Sequence, residues 1–463
     1  MTSERLTSPR VRRTAALLLA ATVGLTAAAC GSSSKTTPSA TKSGAGKVTI
    51  SIDCAPPTSK PIPRKQWFDD IAAFEKLNPN VTVKSIDTFP CETPALFTAA
   101  LTGHTEPNVF YTYFTDKQEV LDAGQAADIS SYVNTTSVPT LNDISPSVLD
   151  GQKSDGKLYG LPRTNYAMGT IINRKLFTQA GLDPNKPPTT WAEVATDAAA
   201  IQKLGNGING YGEYSAGNNG GWHFVAEMDA LGAPVVSADG KKAAFNSDAG
   251  KAVLQNLHDL RFKDNAMGKT QLYKWGDLQK QMAAGKLGIY IAAPDDITYM
   301  VQTLAAKYED FGMGPIPGTD GPAKGTLAGG DDMMFNIKDT PEQIKAGIAL
   351  VNYLYLTPGK GQFDWARAKA TGQAVGLPEP EFYTGASLAA DSALRSTNST
   401  MPVANFQPFV DAAVPGVNEP GNAQDIYKVL DTAMASALTN PNADVSKLLA
   451  TAETQVNQVL ANK

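Results

Sequence analysis

Lys47-Val-Thr-Ile-Ser-Ile52, Trp67-Phe-Asp-Asp-Ile-Ala-Ala-Phe-Glu-Lys-Leu77, Val81-Thr-Val-Lys-Ser-Ile86 and Asn108-Val-Phe-Tyr-Thr-Tyr-Phe114 follow one another near the start of the chain. The first and third alternate apolar and polar residues, as half-buried strands do, and the second repeats apolar residues at helical spacing. A helical stretch over 93–101 precedes the fourth segment, which reads as a third strand. Strand and helix alternate as in βαβ units, so the chain is α/β. Further helices are predicted at 191–204, 249–262, 278–284, 340–356 and 425–438. Asp339-Thr-Pro-Glu and Thr189-Thr-Trp-Ala-Glu give two of them clear start signals. No repeat of solenoid period occurs.

The N-terminus reads as an export signal. Arg5, Arg10, Arg12 and Arg13 precede an apolar stretch over 15–25, too short to span a bilayer, and Thr26-Ala-Ala-Ala29 leads into Cys30. Small residues ending at a cysteine resemble the bacterial lipobox, in which the thiol receives diacylglycerol and the cysteine becomes the new, palmitate-bearing N-terminus. Residues 1–29 are then a signal peptide and 30–47 a lipid-anchored flexible linker, polar and Gly/Ser-rich. With Cys30 as the lipid anchor, Cys54 and Cys91 remain, and in an oxidising compartment such a pair forms a disulfide. The cysteines lack CxxC spacing and His104, His223 and His258 fall in no ligand pattern, so neither a metal nor a cofactor is expected.

The formal charge is −5, and loss of residues 1–29 removes four Arg and one Glu, leaving −8. An acidic body with no basic run argues against nucleic acid and against a polybasic membrane contact. About 415 residues beyond the linker exceed one ordinary core, so two lobes are expected.

A longer series of motifs runs through the chain: Phe74-Glu-Lys-Leu-Asn-Pro-Asn-Val-Thr-Val83, Ala99-Ala-Leu-Thr-Gly103, Ala123-Gly-Gln-Ala-Ala-Asp-Ile129, Gly156-Lys-Leu-Tyr-Gly-Leu-Pro162, Ile172-Asn-Arg-Lys-Leu-Phe177, Ala180-Gly-Leu-Asp-Pro184, Met282-Ala-Ala-Gly-Lys286 and Phe311-Gly-Met-Gly-Pro-Ile-Pro317. Their order resembles the extracellular solute-binding proteins of ABC importers, in the carbohydrate-binding group that includes maltose-binding protein. The resemblance implies a two-lobe, class II periplasmic-binding-protein-like fold with the ligand in a cleft between lobes joined by hinge crossings. It places 48–164 and 330–378 in one lobe and 165–329 and 379–463 in the other. It further implies a monomer that is not an enzyme, captures a sugar or oligosaccharide outside the cell membrane, and delivers it to the transmembrane subunits of an ABC permease.

Sugars offer hydroxyl edges to carboxylates and amides and CH faces to aromatic rings. Strand ends and lobe crossings are therefore the places to look. Tyr113 and Asp116 end the third strand, where the relatives put sugar-contacting residues; Asp116 equally suits the N-cap of a helix starting near Lys117. Tyr166, after Pro162, aligns with a ligand position in the relatives and equally suits hinge packing. Asn219 and Trp222 lie on the loop Asn218-Asn-Gly-Gly-Trp222, and a structural Trp is the alternative there. In Pro294-Asp-Asp296 the relatives' tryptophan is replaced by carboxylates, giving Asp295 as a ligand residue or a helix cap. Asp331, in Gly329-Gly-Asp-Asp332, follows glycines that permit close backbone approach and positive φ. Trp67 is a further candidate, though such a residue is more often part of a helix core, and Trp275 precedes Gly276-Asp277, a helix start.

This set is rich in Asp, Asn, Tyr and Trp and poor in Arg and Lys, which favours neutral polyols or cations over anions. A polyamine in the same fold is the alternative ligand. An exported polysaccharide hydrolase is a more distant one: adjacent Asp pairs point apart, and no G-x-S-x-G elbow occurs.

Overall fold

The structure, a computed structural model, describes residues 46–87, 94–378 and 382–461. The signal peptide, Cys30, all but the last two residues of the linker, Cys91 and the junction at 379–381 lie outside the described residues.

The strands are β1 (Val48–Ile52), β2 (Val81–Ser85), β3 (Val109–Tyr113), β4 (Lys153–Ser154), β5 (Lys157–Leu158), β6 (Gly160–Ala167), β7 (Gly169–Asn173), β8 (Asn209–Tyr211), β9 (Leu287–Ala292), β10 (Phe311–Pro315), β11 (Thr326–Phe335) and β12 (Gly416–Asn418). They form two main sheets. The first runs β12-β11-β3-β1-β2, with β6 also paired to β11; the second runs β10-β7-β9-β8. β4 and β5 make a separate hairpin. The predicted βαβ start is present: β1 lies parallel to both β2 and β3. Helix Pro61–Leu77 connects the first two and Pro94–Gly103 the next.

Helices form where local chemistry fixes their first turn. Thr190 and Glu193 close a capping box on Trp191–Gln202: Thr190 Oγ1 accepts from the Glu193 N–H at 3.2 Å, and Glu193 Oε2 accepts from the Thr190 N–H at 3.1 Å. Thr340 and Gln343 do the same for Pro341–Tyr355, with proline at a position whose N–H has no helical partner.

Both sheets are covered on two faces, which explains why their central strands read as nearly continuous apolar runs. In β9, Ile289 and Ile291 join a core with Ile172, Val194 and Leu254, whereas Tyr290 and Ala292 join another with Ile297, Phe311 and Met313. The first sheet buries Ile50, Ile52, Val109 and Phe335 against Phe74, Leu350 and Leu354.

Only Met168 separates β6 in the first sheet from β7 in the second. It is fully buried, its N–H donates to the Leu327 carbonyl at 3.0 Å, and its carbonyl accepts from Thr326 Oγ1 at 2.6 Å. The outgoing crossing and the return through β11 are thus bonded side by side. Gly329 and Gly330 sit on this return for closeness alone. Neither has positive φ, but a Cβ on Gly330 would stand 2.2 Å from the Thr164 carbonyl oxygen.

The chain stays with the first sheet beyond residue 378. Phe382 and Tyr383 pack in its core, and helix Gly385–Asn398 is tied there by Ser387 Oγ donating to Asp143 at 2.7 Å and Trp365 Nε1 donating to Asp391 at 2.7 Å. The resemblance put a lobe division at 378/379; in this segment apolar side chains, rather than the loop before them, decide the packing.

Candidate functional site

Two adjoining cavities of about 770 and about 300 Å³ open between the sheets. Tyr113, Tyr166 and Trp222 line both. The larger takes Tyr111, Arg163, Asn165 and Asp331 from the first sheet's strands, and Asp295 from the helix after β9. The smaller adds Asn219, Trp275, Glu419 and Tyr427.

On the first sheet, β3 and β11 pair with Tyr113 opposite Asp331, so both are delivered to one end of the strands. Tyr113 is 40% exposed and meets Tyr111 edge-on at 5.1 Å. Asp331 receives Arg163 Nε at 2.6 Å and Nη2 at 2.8 Å, a bidentate pair, and the guanidinium lies 5.0 Å from the Tyr111 ring centre. The site is thus less poor in bases than the sequence indicated, since Arg163 and Lys60 both line the larger cavity. Arg163 has its charge matched by Asp331. Behind it, buried Asp53 accepts from the Tyr111 N–H at 3.0 Å, and burial pushes its carboxyl up to about 7.

On the second sheet's side, Asp295 and Asp296 begin helix Asp295–Leu304 and face different ways. Asp295 lines the larger cavity, and burial raises its carboxyl above the usual range. Asp296 turns inward and accepts from Trp275 Nε1 at 3.0 Å, Gln279 Nε2 at 2.7 Å and Tyr290 Oη at 3.0 Å. Burial, and next the charge of Asp295, push it up to about 7. Asn219 Oδ1 accepts the Trp275 backbone N–H at 2.9 Å. Asn219 and Asp296 therefore fix Trp275, which stays 44% exposed and tilts against Tyr299 at 4.7 Å.

Tyr166, opposite Gly329 in the β6–β11 register, meets Trp222 edge-on at 6.1 Å and donates to Glu419 Oε2 at 3.2 Å. Tyr427 donates to Glu419 Oε1 at 2.7 Å. Burial pushes the Glu419 carboxyl up to about 7 despite those two donors. Trp222 is brought to the wall by helix Asn219–Ala230, whose Gly221 would put a Cβ 2.2 Å from the Tyr427 carbonyl oxygen in helix Ala423–Thr439; only glycine lets the two helices approach so closely.

Six predicted residues thus converge on the cavities: Tyr113, Tyr166, Asn219, Trp222, Asp295 and Asp331. Asp116 stands beside them at the N-cap of Lys117–Asp122 without capping it; it accepts from Thr115 Oγ1 at 3.2 Å, and burial pushes it up to about 6. Trp67 lines neither cavity. It is buried in the first core and donates Nε1 to Ser85 Oγ at 2.8 Å, joining its helix to β2. Arg163, Glu419 and Asp53 were missed. Asp53 directly follows β1, so the strand-end rule that picked Asp116 also points to it.

Comparisons with known proteins agree with this architecture. A binding protein of Brucella abortus (strain 2308) is 27% identical over 361 residues, covering 74% of this chain and 80% of its own. The cyclic alpha-maltosyl-1,6-maltose binding protein from Arthrobacter globiformis superposes with a TM-score of 0.71 at 22% identity, over 90% of this chain and 100% of that one. UgpB from Mycobacterium tuberculosis, solved in complex with glycerophosphocholine, superposes with a TM-score of 0.68 at 20% identity, over 90% and 99%. The two-lobe solute-binding fold is common to both. Residues 60–361 match the profile of the bacterial extracellular solute-binding proteins, and the chain belongs to that family.

Proposed function

We propose that this protein is the substrate-binding lipoprotein of an ABC-type sugar importer, that it holds a sugar or oligosaccharide between its lobes, and that it delivers this cargo to the permease. The observation carrying this reading is the mixture of aromatic faces and hydrogen-bonding groups on opposed walls of one cleft. Tyr113 and Asn165 come from one sheet, while Trp222, Asn219 and Asp295 come from the other side. Contacts from both walls favour the closed state and shift an open–closed equilibrium by their differential affinity. The maltose-type ligand named for the Arthrobacter globiformis protein supports a carbohydrate. Pairing of Arg163 with Asp331 weighs against an anionic ligand, because its charge is already matched.

Acylation at Cys30 would tether a monomer to the extracytoplasmic face of the membrane, and a Cys54–Cys91 bridge would tie β1 to the segment after β2. Intact-mass and peptide mapping test both modifications. Cys30→Ala is expected to release the protein into the medium. The ligand is tested by thermal shift against mono- and oligosaccharides, polyols and polyamines. A saturable rise with one sugar class supports the reading, since a ligand selective for the native state adds RT ln(1 + [L]/Kd) of stability. A rise with spermidine and with no sugar overturns the carbohydrate assignment, and turnover of an oligosaccharide overturns the binding-only role.

A further inference from the structure

The smaller cavity has a charge balance that a neutral sugar leaves unanswered. Its walls are aromatic, with Tyr113, Tyr166, Trp222, Trp275 and Tyr427 around a space of about 300 Å³. Glu419 lines it with both carboxylate oxygens held by phenol hydroxyls, Tyr166 at 3.2 Å and Tyr427 at 2.7 Å. Behind the wall stand Asp229, whose Oδ2 is buried without a hydrogen-bond partner, and Asp116; Asp295 lines the adjoining cavity. These acids act on one another. Asp116 disfavours the charged form of Glu419, and Glu419 that of Asp229. Among the described residues lining the smaller cavity there is no Lys, Arg or His. Arg163 is committed to Asp331. Among the described residues, no group of three or more His, Cys, Asp or Glu is arranged to hold a metal ion.

Aromatic faces and a desolvated carboxylate together match one ligand chemistry. A cationic nitrogen is attracted to the ring faces, more strongly once water is excluded, and gains an ion pair in the same place. We propose that the cargo is an amino sugar, with a positively charged nitrogen in the chamber formed by Tyr113, Tyr166, Trp222 and Trp275, Glu419 as its counter-charge, and its polyhydroxylated body extending into the larger cavity. This rests on the carbohydrate reading and narrows it.

The test is calorimetric titration of the purified protein at pH 7 with the glucosamine disaccharide, its N-acetylated form, cellobiose and spermidine. The amine-bearing disaccharide is expected to bind at least about tenfold more tightly than either neutral disaccharide. Raising the salt is expected to shrink that advantage, because ion pairs are screened. Glu419→Gln is expected to abolish the advantage, read as the ratio of the amine-bearing to the neutral disaccharides' affinities measured on the same variant. Neutral disaccharides binding as tightly as the amine, or Glu419→Gln weakening both kinds equally, overturns the cationic assignment and leaves the carbohydrate reading standing. Binding of spermidine with none of the three disaccharides overturns the amino sugar and, with it, the carbohydrate reading.

Discussion

Trp275 Nε1 donates to Asp296 Oδ1 at 3.0 Å, so an exposed indole at the cleft is anchored by a buried carboxylate. Asp296→Ala is expected to cost about 1–3 kcal/mol, because Gln279 and Tyr290 lose their acceptor in a buried place. It is also expected to weaken ligand binding by releasing the indole. Urea unfolding gives the first effect, and Trp fluorescence with ligand titration gives the second. Unchanged affinity would mean that Trp275 takes no part in holding cargo.

Arg163 and Asp331 form a bidentate pair with side chains 26% and 10% exposed. Arg163→Met or Asp331→Leu alone is expected to cost about 3 kcal/mol, since each leaves its partner's charge poorly solvated. The double variant is expected to recover most of that loss. A double-mutant cycle by chemical denaturation measures it; additive losses would show that the pair is not the source.

Stability of the unliganded protein is expected to fall as pH rises from about 5 to about 8. Asp53, Glu419 and Asp296 titrate near 7 and Asp229 near 8 in the folded state, all pushed up mainly by burial. Unfolded carboxyls titrate near about 4, so between these limits the folded chain binds more protons and stability declines with pH. Asp128 and Glu193, depressed by hydrogen bonds, act in the opposite sense only at lower pH. Thermal melts across pH give the slope. Glu419→Gln should flatten it, and a melting temperature rising toward pH 8 would contradict the assignment.

Trp67→Phe is expected to lower stability by about 1 kcal/mol through loss of the bond to Ser85, with ligand affinity unchanged. Trp222→Ala is expected to raise Kd about tenfold, through loss of an aromatic face. Comparing both variants in one titration separates a core tryptophan from a cleft tryptophan.

The fold was legible because β1 to β3 carry their periodicity in short contiguous segments, and the capping residues Thr190 and Thr340 announce their helices. Tyr113 and Asp331 were readable as strand-end residues. Their neighbours were less so. Arg163 comes directly after a run, ending at Pro162, read for its likeness to a family, and nothing local shows that β11 will bring Asp331 to it. Glu419 lies in Asn418-Glu419-Pro420, a segment of no clear period, and reaches the cleft because Val417 and Asn418 pair with Leu327 and Ala328, roughly ninety positions earlier. Trp67 shows the converse: helical spacing places it on an apolar face, and the partner that holds it there, Ser85, comes from the next strand.

If the two sheets turn about the single-residue step at Met168, that step is the axle and sets the scale of the motion. Tyr166 lies two positions from it, so a ligand gripping that ring pulls close to the axle, with a short lever. The outer rims of the lobes lie far from the same axle and sweep a longer arc for the same rotation. A displacement too small to disturb contacts around a bound ligand would thereby be magnified at the outer surfaces.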